Sequence, residues 1–450
     1  MKTATKVGVL VVKTIGIAAL LTIVFIGGFS YQDVSMGMRQ PGSLATALSL
    51  IPMRLRLSLH DAAYGDPDVN TSPLAVYADT LETVQTEYYG HVGSTRDLTY
   101  AAIRGMMASL GDRYTRFLAP DDYSKMQEDN EGQFVGIGAQ LDQNAKNQVY
   151  VVKPLPNSPA IRAHLHSGDI ILKVDGKTVV GYDITRVVSM IRGQPHTPVT
   201  LVLMRPGSTK PITLRIVRDY VQQEVVVSEM IDPAHKIGYI ALGQFNEESD
   251  PQIDDAMTDL QHQGMRALIF DLRGNPGGLL NAAQDIASRF VASGPIVWVK
   301  ERGTEMQSLS VEPKQHDHLR YPLAVLVNSG SASASEITSG AIKDTHSGVL
   351  IGETTFGKGL VQTIIPLPDK SAVAITTAHY YTPAKHDINH KGIQPDISVT
   401  LGRQDQINMN TYEEAHPSDT IDLKYDRQLQ TAVSNLIQRL KAGDHPTGWS

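Results

Sequence analysis

A chain of 450 residues exceeds what one ordinary hydrophobic core organises and implies two or three domains. Hydrophobic residues make up 41%, charged residues 19%, and the formal net charge is -7, a globular composition that argues against nucleic acid as a partner. The chain has no cysteine, which excludes disulfides, thiolate zinc sites and a cysteine nucleophile and leaves Ser, Lys, His, Asp and Glu for chemistry.

Lys2 and Lys6 precede "VGVLVVKTIGIAALLTIVFIGGFS", which is interrupted only by Lys13. Residues 14–30 as a helix would span roughly 25 Å, close to a bilayer core. Basic residues on the amino-terminal side favour a cytoplasmic amino terminus and an extracytoplasmic body. Gly28 and Ser30 make a poor cleavage site, so residues 1–30 read as an uncleaved signal/anchor segment that places the protein in the cell envelope. Residues 31–73, rich in Pro, Gly, Ser and Asp, read as a linker.

Helical spacing governs 74–131, where "LAVYADTLETVQTEYY" and "LTYAAIRGMMASLGD" put apolar residues three and four apart. The period changes to two over 132–219: "QFVGIGAQL", "QVYVVKPL", "GDIILKVDGKTV" and "PVTLVLMRPG" predict a small β-rich module holding one helix, "YDITRVVSMIRG". In 220–404, strands such as "KIGYIALGQF", "RALIFDLRG", "LAVLVN" and "GVLIGET" alternate with helical segments, predicting an α/β sheet covered on both faces. The tail, 405–450, contains "DRQLQTAVSNLIQRL", whose Leu429, Val433, Leu436, Ile437 and Leu440 form one helical stripe.

Between a buried strand and a helix lies "NSGSASASE", four serines at alternate positions closed by Glu336. A strand-to-helix turn suits a nucleophile because the first helical N–H groups are unpaired and can stabilise an oxyanion. Ser333 with Glu336 three residues on also matches a capping box, in which the hydroxyl merely satisfies the helix start. A serine nucleophile needs an unprotonated partner, a histidine or a lysine of lowered pKa. Lys358 in "GETTFGKGLVQ" and His379 in "ITTAHYYTP" are the candidates, Lys358 following the next strand, whose end should lie beside that of "LAVLVN".

The series "VLVNSGSASASEI", "IGETTFGKGLVQ" and "YYTPAKHDINHKGIQPDI" resembles the carboxy-terminal processing peptidases, Ser/Lys serine proteases (tail-specific proteases) with an inserted PDZ domain, and the likeness runs from about 74 to 440. The resemblance implies a ClpP/crotonase-like α/β protease domain, the inserted β-rich PDZ domain and an N-terminal helical region. It implies Ser333 as nucleophile, Lys358 as general base and Gln362 as its support. Four residues of strand separate Gln362 from Lys358 by roughly 13 Å, so that support requires a turn or bulge at Gly359. The turn "DLRGNPGGLL" lacks the dinucleotide-binding spacing; the resemblance implies that it supplies the oxyanion-hole N–H of Gly277, with that of Ala334 as the second donor.

In the PDZ-like module, "FVGIGAQL" would present the N–H groups of Gly136, Ile137 and Gly138 to a terminal carboxylate while the next strand pairs with the peptide. "SPAIRAHLHSGDIILKVDGKTV" matches that module's core, with "AHLHSGD" where a glycine and a proline are more usual. The expected activity is endopeptidase cleavage of proteins with exposed C-termini, through an acyl-enzyme; homo-oligomer formation is compatible with it. No cofactor and no metal are implied, since His386 and His390 lie in a surface loop without a clear carboxylate companion. A catalytically inactive PDZ adaptor and an acyl-CoA enzyme are the alternative classes. The presence of Ser333, Lys358 and Gln362 argues against the first, and the PDZ module and export segment against the second.

Overall fold

The computed structural model describes residues 72–312, 321–415, 421 and 424–443. The expected membrane segment and most of the linker lie outside them, and among the described residues no helix is long and apolar enough to cross a membrane. The chain divides into two compact units, up to Gly105 and from Met106 onward. In the first, the helices Pro73–Glu87 and Thr95–Ala108, the latter running across the boundary, are tied by Tyr77 Oη to Thr99 Oγ1 at 3.2 Å and Gln85 Nε2 to Thr95 Oγ1 at 2.7 Å.

The second unit is organised by two sheets and a PDZ-like module. The central sheet has six strands in the order Val226–Asp232, Ile237–Leu242, Ala267–Asp271, Leu323–Val327, Val349–Gly352 and Ile397–Ser398, all parallel except the first pair. Its middle strands "ALIFD" and "LAVLV" are buried at every position, as continuous β-branched and aliphatic runs are when helices cover both faces. Leu242, Phe270, Val325 and Val327 pack on one face with the helices Ser249–His262, Leu280–Ser288 and Ala334–Asp344. Tyr239, Ile269, Ala324 and Leu326 pack on the other with Leu429, Ala432 and Leu436 of the helix Arg427–Ala442. Each of the two fully buried leucines contributes roughly 1.5–3 kcal/mol. That helix is capped at both ends: Asp426 Oδ1 accepts the Leu429 N–H at 2.9 Å, and Gly443 takes the left-handed conformation.

The second sheet is antiparallel. Its strand Ala372–Tyr381 pairs with Arg116–Leu118, Pro295–Glu301 and Leu360–Pro366. The residues expected to be wholly helical up to 131 thus include a three-residue strand, too short to show a period, followed by the helix Pro120–Glu131.

The PDZ-like module has a sheet in the order Ala139–Gln143, Val149–Pro154, Ile170–Val174, Pro198–Met204 and Ile212–Val217, with the helix Ile184–Ile191 packed on it. A two-stranded ribbon, Gln133–Gly136 with Asp219–Gln222, closes its base. The unusual "AHLHSGD" keeps the turn that a glycine would favour. His164 is left-handed at φ 58°, its carbonyl accepts from Arg205 Nη2 at 2.9 Å, and the same guanidinium grips buried Asp169 through two bonds of 2.8 Å.

Candidate active site

Adjacent parallel pairing of Leu323–Val327 with Val349–Gly352, Val327 opposite Gly352, brings the loops after both strands together. The first loop carries Ser333 and the second Lys358. Both side chains line one cavity of about 280 Å3, together with Gly278, Ala334 and Gln362. Met126, Leu279, Ile337, Leu360 and Ile364 give it an apolar wall.

Ser333 stands at φ 54°, ψ -113°, a backbone conformation that side chains rarely adopt and that marks a sharp strand-to-helix elbow. Ser333 and Glu336 take up the positions of a capping box. Its carboxylate half is a hydrogen bond, Ser333 N–H to Glu336 Oε2 at 3.1 Å. Glu336 is fully buried and does more than cap. Oε2 also accepts the Lys358 N–H at 2.9 Å, and Oε1 accepts the Gly357 N–H at 2.7 Å and the Thr355 hydroxyl at 2.5 Å. One buried carboxylate therefore joins the elbow to the lysine turn. The sequence showed Glu336 only as a local cap; its tertiary partners 19 to 22 residues away left no local signal.

The alternate serines have distinct roles. Ser331 and Ser335 are buried and donate to the carbonyls of Leu272 at 2.7 Å and Asn275 at 2.9 Å. They pin the "DLRGNPGG" turn against the elbow, while Ser329 is exposed. Asn275 extends the lock: its carbonyl accepts the Ala332 N–H at 3.0 Å, and its side chain spans from the Leu242 carbonyl at 2.8 Å to the Gly277 N–H at 2.8 Å.

That last bond corrects the expectation for Gly277, whose N–H is already engaged. Its importance is steric, since a Cβ there would lie 2.7 Å from Ser333 Cβ and 2.8 Å from the Ala334 nitrogen. The N–H groups of Gly278 and Ala334 make no hydrogen bond among the described residues, and both residues line the cavity. Tyr380, buried below, donates to the Ser333 carbonyl at 3.2 Å.

Lys358 Nζ lies 5.0 Å from the centre of the Tyr114 ring and makes no hydrogen bond among the described residues. Burial lowers the pKa of Lys358, and the nearby charges of Arg116 and Arg113 lower it further; Glu336 and Asp112 act in the opposite sense. Gln362 lines the cavity, but its amide donates to Thr376 Oγ1 at 3.4 Å and is not bonded to Lys358. The irregularity expected at Gly359 is a register shift between Val361 and Gln362. His379 is exposed on the strand opposite Lys300, where it lines a separate surface cleft with Lys300 and Arg302; it does not line the Ser333 cavity.

In the PDZ-like module, Ile137 and Gly138 form the loop before the edge strand Ala139–Gln143. Their carbonyls accept from Ala160 at 2.7 Å and Leu155 at 2.9 Å, while their N–H groups donate to nothing among the described residues. Gly136 ends the neighbouring strand, opposite Asp219. A groove lined by Phe134, Ile137, Leu141, Val188, Ile191 and Arg192 runs between this edge and the helix. Gly138, at φ 72°, admits no side chain, since a Cβ would stand 2.3 Å from Ser158 Cβ.

Comparison with known proteins finds a match for each of the two domains. Residues 236–399 match peptidase family S41, and residues 124–204 match the PDZ domain. The chain is 37% identical over 307 residues to a carboxyl-terminal-processing protease of Synechocystis sp., covering 68% of this chain and 71% of that protein. It is 36% identical over 341 residues to a carboxy-terminal-processing protease of Bartonella bacilliformis, covering 72% and 75%. A solved photosystem II D1 C-terminal processing protease is similar at 33% identity over 78% of this chain and 94% of that one, with a TM-score of 0.42.

Proposed function

Because this chain belongs to the carboxyl-terminal-processing proteases of peptidase family S41, it is a serine-type endopeptidase, and we propose that Ser333 and Lys358 are its nucleophile and general base. The observation that carries this assignment is the shared cavity of Ser333 and Lys358, with both backbones held by Glu336.

Neutral Lys358 takes the hydroxyl proton as Ser333 Oγ attacks the scissile carbonyl carbon, and the carbonyl oxygen becomes the oxyanion. The unpaired N–H groups of Gly278 and Ala334 receive it. As the C–N bond breaks, the Lys358 ammonium returns the proton to the leaving amine. Water then attacks the acyl-enzyme with Lys358 again as base; the ester C–O bond breaks as the lysine ammonium returns its proton to Ser333 Oγ, and the peptide leaves as a carboxylic acid that ionises in solution. Proton transfer requires Lys358 Nζ within hydrogen-bond reach of the Ser333 hydroxyl, and the two side chains, which share the cavity, close that contact when substrate is seated. Gln362 lies in the same cavity, where its amide can orient the lysine after that movement.

The PDZ domain selects substrates with free C-termini. The N–H groups of Ile137 and Gly138 meet the terminal carboxylate, Gly136 shapes the loop, and the strand Ala139–Gln143 pairs with the peptide. The lysine-flanked apolar run at residues 7–30 supports an exported, membrane-anchored protein.

Cleavage of an unfolded protein with a free or an amidated C-terminus, by the full chain and by Ser333→Ala, tests the reading. Hydrolysis that requires Ser333 and falls on amidation is expected. Unchanged turnover by Ser333→Ala would overturn the nucleophile assignment.

A further inference from the structure

The "DLRGNPGG" turn is held from the elbow side by Ser331, Ala332 and Ser335. Its opposite side is held by Arg273, whose side chain is only 14% exposed. Arg273 grips Asp271 through Nε and through Nη2, the latter at 2.6 Å, and Tyr239 Oη donates to the same carboxylate at 2.8 Å. The remaining edge of the guanidinium points at the C-terminal helix: Nη1 meets Asp426 Oδ2 at 2.7 Å and Gln428 Oε1 at 3.1 Å. Asp426 and Gln428 are buried, and Gln428 Nε2 donates to the Val399 carbonyl at 2.7 Å.

Asp426 thus does two things with its two oxygens. Oδ1 caps the helix through the Leu429 N–H, and Oδ2 holds a charge five residues before Gly278. No residue of the Arg427–Ala442 helix lines the Ser333 cavity. Without Asp426, Arg273 keeps Asp271 but loses the charged bond that ties its turn to the C-terminal helix, and an oxyanion donor displaced by an ångström loses much of its effect.

We propose that Asp426 and Arg273 form a positioning latch: docking of the C-terminal helix sets the oxyanion turn, so full catalysis depends on a helix that contributes nothing to the cavity itself. The proposal rests on the assignment of Gly278 and Ala334 as oxyanion donors. It makes Asp426 and Arg273 positioning residues, since neither touches substrate.

Asp426→Ser separates capping from latching, because serine still caps the helix but cannot reach Arg273. In the full chain, kcat is expected to fall roughly ten- to hundredfold with KM little changed. Affinity for a peptide aldehyde, whose hemiacetal oxygen occupies the oxyanion position, should weaken in parallel, while binding of the corresponding peptide acid stays constant. A folded Asp426→Ser protein with unaltered kcat and aldehyde affinity overturns the latch. So does a loss of kcat that only follows the unfolded fraction in a melt. If Asp426→Ser does not fold, Asp426→Asn keeps the helix cap and removes the charge that holds Arg273; a severalfold fall in kcat and in aldehyde affinity is expected, and values equal to the parent's overturn the proposal. Ser333→Ala run alongside keeps the two readings apart. An active Ser333→Ala refutes the nucleophile, whereas an inactive Ser333→Ala beside a fully active Asp426→Ser refutes the latch alone.

Discussion

The peptide N–H groups of Ser333 and Lys358 donate to the same oxygen of Glu336, at 3.1 and 2.9 Å. The two proposed catalytic residues are thereby held by their backbones. Substituting Glu336→Gln keeps the size but replaces an oxygen with an NH2 group that faces N–H donors. Each buried donor left without an acceptor costs about 1–3 kcal/mol. A marked fall in Tm and at least a tenfold fall in kcat/KM are expected. A Glu336→Gln protein as stable and active as the parent would refute the shared anchor.

The pH dependence follows first from the burial of Lys358 and then from the charges around it. The base must be neutral, so activity rises as pH passes through its lowered pKa. Arg116, which lines the cavity, holds that pKa down. Arg116→Gln removes a positive charge, the pKa moves back towards the ordinary lysine range, and the rising limb of the kcat/KM profile shifts to higher pH. A profile that stays in place, or moves to lower pH, contradicts the assignment of Lys358 as base.

Ser331 and Ser335 tie the "DLRGNPGG" turn to the elbow, and each buried carbonyl they serve loses a donor on substitution. Ser331→Ala and Ser335→Ala should each destabilise by about 1–2 kcal/mol and lower kcat. Ser329→Ala, at an exposed position, should do neither. Urea unfolding and steady-state kinetics on the three variants separate these expectations.

Gly277→Ala puts a methyl group 2.7 Å from Ser333 Cβ on a backbone at φ 98°. The elbow must shift, and hydrolysis of even a short peptide should be lost. Retention of more than a few per cent of the parental rate would show that the elbow has room.

Gly138→Ala makes the opposite separation, because its clash with Ser158 lies in the PDZ loop. Affinity for a peptide with a free C-terminus should drop at least tenfold, read by fluorescence anisotropy. Cleavage of a short substrate that does not need the PDZ domain should persist.

Much of this arrangement was legible in the chain. Continuous apolar strands separated by helical stripes implied the covered parallel sheet, and the strand-to-helix position of "NSGSASASE" with "GKG" after the next strand implied which loops would meet. Three features were not. The strand Arg116–Leu118 is too short to show a period. Gln362 was expected beside Lys358, but a register shift and the Thr376 hydroxyl decide where its amide points. The resemblance implies Gly277 as a donor, yet the side chain of Asn275, two residues earlier, claims its N–H.

The amino-acid sequence by itself determined the order of elements, the PDZ-like module and the residue types available for chemistry, because periodicity, turn residues and motif spacing are local properties. Only the tertiary structure decided which polar groups are already satisfied. Glu336 serves both the Ser333 elbow and the Lys358 turn, Gly278 has among the described residues a free N–H that Gly277 lacks, and Arg273 reaches Asp426, the cap of the C-terminal helix, 153 residues further on. Hydrogen-bond partnership in a buried site depends on distances between segments remote in sequence, and folding alone sets those distances.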